Sequence, residues 1–321
     1  MGFDKAPNYL KCNAFLTHGY RAGGGREGEG EGEGEGVGKK GKGKGKKKGK
    51  YLSAAECVAS VVHIHNETGN IWSHLLPLVL YVGILGHLAV NVTRFDLPSD
   101  APPGLVSDDA HPLLVSPRAS FVIFALGSAA CFFFSTVYHV FNGHSFAAWR
   151  TCLDLDYLGI SLGFMGAALG SVFPHLYCFP HLILIHHAIL CGVGILMITA
   201  LNSRFNAEEY AFALHFRGIV VTSVSACSVA PYIHHYLLTG SLFLDEKWFF
   251  WSKFPIIAAV ILVTAVVYTA RLPERFAPGL FNTWGHSHQL MHIAVASNNI
   301  IMLWMNVQYF DWRVENGCAV P

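Results

Sequence analysis

The chain is 321 residues long, 52% hydrophobic and only 13% charged, with a mean hydropathy of +0.39. A soluble domain carries about twice that share of charge, so a soluble globular protein is excluded and a polytopic membrane protein is indicated. The net charge of +1 averages a basic tract, within Arg26 to Lys50, against scattered acids and selects no partner.

Residues 1–22 form a short polar lead that includes Tyr20-Arg21, and 22–50 are low complexity: glycines, then alternating Gly-Glu, then alternating Gly-Lys. Such a tract has nothing to bury and is expected to be disordered. Its lysines, Lys39 to Lys50, have two readings: contact with anionic lipid headgroups at about 1 kcal/mol each at best, or a neutral solvated insertion, which is favoured. A nucleic-acid role is not supported, since no aromatic residues interleave with the lysines. No signal peptide is expected: the first apolar run long enough to act as one begins near Asn70, behind the lysines, and stops at no cleavage-like site.

Residues 51–65 are apolar but too short to span a bilayer and are expected to lie as a helix at the interface. Apolar runs near the ~20 residues that a bilayer requires follow at 71–92, 118–141, 152–173, 180–202, 211–239, 252–272 and 285–307. The expected fold is therefore all-α: an interfacial helix and a seven-transmembrane bundle over 51–310, after a cytosolic lead (1–50) and before a short extracytosolic tail (311–321).

Lysine and arginine placement orients it. Arg150, Arg204, Arg217, Arg271 and Arg275 fall on the side of the N-terminal lysines, whereas Asp96, Asp100, Asp108, Asp109 and the Asp245-Glu246-Lys247 loop fall opposite. The N-terminus is expected in the cytosol and the C-terminus outside, the reverse of a rhodopsin-like receptor. The eight cysteines form no C-x-x-C pair and read mostly as small buried hydrophobes. Only Cys178 and Cys318 would meet in an oxidising space, and there two free thiols are favoured over a disulfide.

In that topology His139 ends the second span, while Asp156, His288 and His292 begin the third and seventh. All four lie at cytosolic depth, level with Asn66, Glu67, Ser73 and His74. Ionisable groups inside a membrane are costly and normally face the bundle interior with partners. His288 and His292 are one helical turn apart and project from one face. Three imidazoles with an open fourth position are the ligand set of a catalytic zinc site, and zinc lowers the pKa of water that it holds to about 7. Asp156 would hold or deprotonate that water as general base. Ser135, four residues before His139 on the same face, reaches the water or a substrate oxygen. Tyr157, Arg217 and Tyr268 would bind an oxyanion or headgroup.

Plainer readings stand beside these. A lone transmembrane histidine is usually a hydrogen-bonded packing residue, as His63, His87, His186, His187, His234 and His235 are read here. Ser135 would then bond its own helix backbone, Arg217 would snorkel, and Asp156 would pair with Arg150.

HNETGNIWSHLLP (65–77), Ser135-x-x-x-His139, LDYLGIS around Asp156-Tyr157, and YTARLPERFAPG…SHQLMH (268–292) together resemble the progestin and adipoQ receptor family, related to the hemolysin III proteins and alkaline ceramidases. The likeness covers about 51–310 and is closest to the adiponectin-receptor branch. It implies seven spans with a cytosolic N-terminus, zinc held by His139, His288 and His292, a water-holding Asp156, and Ser135, Tyr157, Arg217 and Tyr268 lining the site. The departures are His286, whose ring faces elsewhere, and the low-complexity insertion, which leaves open whether the lead docks against the bundle. The implied function is a signalling receptor with zinc-dependent ceramidase-type activity, releasing a fatty acid from a lipid amide. The alternatives are a non-catalytic hormone or sterol receptor with structural zinc and a membrane scaffold. Membrane lipids are the expected partners, in a surface or an internal membrane.

Overall fold

The structure, a computed structural model, describes residues 6, 10, 13–21, 26–27, 50–91, 116–201, 220, 230–239 and 247–316. Helix α1 (Ala54–Ala59) starts on a capping box in which Ser53 Oγ accepts from the Glu56 amide and Glu56 reaches back to the Ser53 amide, satisfying two donors that a helix start leaves open. A 3₁₀ turn, Ser60–Val62, follows. The long helices are α2 (Thr68–Val90), α3 (Pro117–Phe141), α4 (Phe146–Leu176) and α5 (Pro180–Leu201). Then come α6 (Ala230–Thr239), α7 (Lys247–Ala270) and α8 (Ser287–Asn316). Ser116 and Ser145 cap α3 and α4 by accepting from the amides of Ala119 and Ala148, the expected chemistry for a serine before a helix.

Among the described residues five helices, α2, α3, α4, α5 and α8, are long and apolar enough to cross a membrane. They coincide with five of the seven apolar runs. The 252–272 run is helical as part of α7, and the 211–239 run lies largely outside the described residues, with α6 at its end. The last helix continues to Asn316, past the expected start of the tail.

Large side chains fill the space between α2, α3, α4 and α8: Tyr81, Phe121, Phe124, Phe132, Val172, Phe173, Leu176 and Phe310 are all buried. Lipid tails are as apolar as leucine, so packing and close backbone approach hold such helices together. At the crossing of α3 and α4 a Cβ on Gly127 would stand 2.5 Å from the Leu162 carbonyl oxygen and 2.7 Å from Gly166 Cα. Only glycine fits there. Cys57, Cys131, Cys152 and Cys191 are free. Cys178, just after α4, is disulfide-bonded to a partner outside the described residues, which corrects the expectation of a free thiol there: spacing along the chain does not report proximity.

The lead docks. Residues 13–21 run along the bundle end where α3 finishes and α8 starts, and Asn66 donates its amide to the Gly19 carbonyl at 2.9 Å. Strands β1 (Arg26–Glu27) and β2 (Lys50–Tyr51) pair antiparallel, Arg26 opposite Tyr51, so both ends of the insertion are tied at its root.

Candidate metal centre

Three histidines from two helices converge at that end of the bundle. His139, in the last turn of α3, and His288 and His292, in the first turns of α8, each offer a ring nitrogen, all within 4.8 Å of one another. The rings stand 4.6–5.2 Å apart, centroid to centroid. Their convergence follows from local sequence: α3 runs to Phe141 before Asn142 and Gly143 end it, and the i, i+4 spacing puts both α8 histidines on one face.

In His139 and His292 the nitrogen turned away from this point is held by a partner. His139 Nδ1 lies 2.8 Å from Glu67 Oε2. A carboxylate only accepts, so the proton sits on Nδ1 and Nε2 presents its lone pair. His292 Nδ1 lies 3.3 Å from the Asn70 carbonyl and 3.2 Å from Ser73 Oγ, which leaves its Nε2 free in the same way. His139 Nε2 and His288 Nε2 approach to 3.4 Å, where facing lone pairs repel unless a proton or a cation lies between them. Two buried imidazoles with anchored outer nitrogens, His139 and His292, and the half-buried His288 can together hold a metal ion. His74 stacks flat on His292, centroids 3.8 Å apart, and Phe132 meets its edge; the sequence placed His74 at this depth without a role.

Asp156 of α4, half-buried, lies within electrostatic reach of His139, and Ser135 is buried one turn before His139 on α3. Arg150, the other partner open to Asp156, is exposed. Tyr268 of α7 comes 5.7 Å from the His288 ring and carries the Arg271 guanidinium 5.5 Å above its own. Tyr157 follows Asp156 on α4, half-buried. Arg217 lies outside the described residues. His286 precedes α8 instead of lying on it, and its Nε2 faces the Asn66 carbonyl at 3.3 Å.

Residues with no role from sequence complete the site. Glu67 also accepts from Asn70 Nδ2 at 2.7 Å. Burial alone would raise its pKa, but the His139 hydrogen bond, with His139, Arg21 and Asn70 around it, holds the carboxyl well below the ordinary range. Glu274 is fully buried before α8 and accepts from the Ser287 amide at 2.8 Å, the Ser287 hydroxyl and Asn13 Nδ2 at 2.9 Å. Burial pushes its pKa up, and those bonds bring it below the usual carboxylate value. The signal for Glu67 was the acid just ahead of the first span; for Glu274 it was an acid in a short connection otherwise rich in aromatics and glycine.

A family model described as haemolysin-III related matches residues 62–303. The chain is 29% identical to the adiponectin receptor protein of Drosophila melanogaster across 83% of its own length and 55% of the fly protein. It is 27% identical to progestin and adipoQ receptor-like protein 1 of Caenorhabditis elegans, across 99% of the chain and 62% of the worm protein. It is also 27% identical to human progestin and adipoQ receptor family member 3, across 98% and 88%. It thus spans less than two thirds of the fly and worm relatives. The apolar helices and these relatives make it a multi-pass membrane protein. It belongs to the haemolysin-III-related family, alongside the progestin and adipoQ receptors.

Proposed function

We propose that the chain is a seven-span receptor-type membrane protein with its N-terminus in the cytosol, and that it hydrolyses a lipid amide of ceramide class at a zinc site held by His139, His288 and His292. The observation that carries this reading is the cluster of three histidines, one short among the described residues of the four ligands of a structural zinc site, with Asp156 on α4 as a separate acid within electrostatic reach of His139. Cys178 at the far end of α4 agrees with the orientation, since disulfides persist on the extracytosolic side.

When bound, zinc supplies Lewis acidity and a more acidic water. Asp156 accepts the proton of the attacking water on one carboxylate oxygen. The water oxygen bonds to the amide carbon, the C–N bond breaks, and the proton passes from Asp156 to the departing nitrogen. A fatty acid and a sphingoid amine leave. Tyr268 and Tyr157 bind the polar end of the lipid, with Arg217 as a third contact.

The names of the relatives favour a second reading, a hormone or sterol receptor in which the metal is structural. Purified protein assayed on ceramide, with and without chelator and with metal quantification, separates the two. The expected result is zinc in the wild type, zinc lost in His139→Ala, His288→Ala and His292→Ala, and lower melting temperatures, because metal binding adds to folding free energy. Asp156→Asn should keep zinc and lose hydrolysis by roughly 10²–10⁴-fold. Wild-type hydrolysis in that variant removes the general base, and zinc without hydrolysis in the wild type selects the receptor.

A further inference from the structure

Segment 13–21 bonds the end of α3, Asn66 just ahead of α2 and the connection that leads into α8. At its C-terminal end Arg21 donates Nη1 to the Val140 carbonyl at 2.7 Å and Ser60 Oγ at 3.0 Å, and Nη2 to the His139 carbonyl at 2.9 Å and to Asn142 Oδ1. Both carbonyls lie in the last turn of α3, where a helix leaves its C=O groups without internal donors. A guanidinium is the side chain whose planar fork satisfies two of them at once. One residue before Arg21, Tyr20 is buried and bonds the Leu16 carbonyl at 3.1 Å.

The rest of the segment is fixed to the connection that precedes α8. The amides of Thr17 and His18 donate to Asn282 Oδ1 at 2.6 and 3.2 Å, Gly279 donates to the Phe15 carbonyl at 3.1 Å, and Asn13 bonds Glu274. Glu274 in turn holds the amide and hydroxyl of Ser287, the residue before His288. Gly19 takes the amide of Asn66, next to Glu67. The strap therefore ends on the peptide of one ligand, His139, and is anchored beside the helix that carries the other two.

We propose that Arg21 is a positioning residue for the metal centre: by tying the His139 and Val140 carbonyls to a segment fastened to the connection before α8, it sets the separation of His139 from His288 and His292. This rests on the reading that the three histidines hold a metal. Its guanidinium bonds backbone carbonyls and the side chains of Ser60 and Asn142, not the ring nitrogens of the histidines. Partners that orient a ligand typically change metal affinity by about 10–100-fold when removed.

The test uses purified full-length protein in detergent with Arg21→Ala and Arg21→Lys. Zinc affinity is measured by competition with a chelator, ligand geometry by the absorption spectrum of the cobalt(II)-substituted protein, and folding by thermal melting. The expected result is a 10–100-fold loss of zinc affinity in Arg21→Ala with an altered cobalt spectrum. Arg21→Lys should lose less, because an ammonium keeps the charge but not the fork. If Arg21→Ala does not fold, Arg21→Lys decides. Unchanged affinity and an unchanged spectrum overturn the proposal even when melting falls, since the strap would then only stabilise. Failure of the wild type to bind either metal removes the metal reading first, which distinguishes that failure from this one.

Discussion

A single hydrogen bond at Glu67 decides which face of His139 is usable. With Nδ1–H committed to the carboxylate at 2.8 Å, the ring can neither rotate nor change tautomer without breaking a charge-assisted bond. Glu67→Ala is expected to lower zinc affinity about 10–100-fold while leaving all three histidines in place; chelator competition on the purified variant measures it, and unchanged affinity would separate Glu67 from the site. The same scale shows what was readable from sequence. His139, His288 and His292 could be grouped because hydropathy gives depth, and depth brings distant residues into one layer. Glu67, Arg21 and Glu274 escaped because each acts on a backbone group or on a ring's far nitrogen, often more than 100 positions away, as in Arg21 to His139 (|i−j| = 118). No pattern of residue types marks such bonds.

Among the elements, α3 and α4 bear on the site jointly, the first with Ser135 and His139 and the second with Asp156. Their crossing is the closest-fitted joint described above: Gly127 and Gly166 let the backbones meet where a Cβ on Gly166 would come 2.8 Å from Gly127 Cα and from the Ile123 carbonyl oxygen. Gly166→Val is expected to destabilise the bundle by about 1–3 kcal/mol through overpacking, seen as earlier melting in detergent. It should also move Asp156 on α4 away from His139 on α3, so hydrolysis should fall more than zinc content. Equal melting of variant and wild type would mean that the joint is looser than these distances imply. The bounds of α2, α3 and α5 follow their apolar runs closely, whereas α4 starts at Phe146, ahead of the run at 152, and α8 ends at Asn316, beyond the run's end at 307; the glycine contacts were not legible, since small residues in an apolar run read equally well as filler.

The whole molecule accommodates a long glycine-rich insertion between two parts that must stay together, the strap and the bundle. The β1–β2 ladder explains how. Pairing Arg26 with Tyr51 and Glu27 with Lys50 places the two ends at about the 4.7–4.9 Å spacing of neighbouring strands, so the chain leaves and returns at one point and Arg21 keeps its seat. Loop-closure entropy grows only slowly with length, so the size of what lies between the strands matters little to stability. Replacing residues 28–49 by Asn-Gly, which suits a two-residue hairpin, is therefore expected to leave zinc affinity unchanged. The melting temperature should stay within about 3 °C, the shift that roughly 1 kcal/mol produces in a chain of this size. Removing 13–21 instead takes away Arg21, Asn13 and the bonds to Asn282, and should cost metal binding. A larger loss from the 28–49 replacement than from the strap deletion would reverse this division between tolerated insertion and working lead.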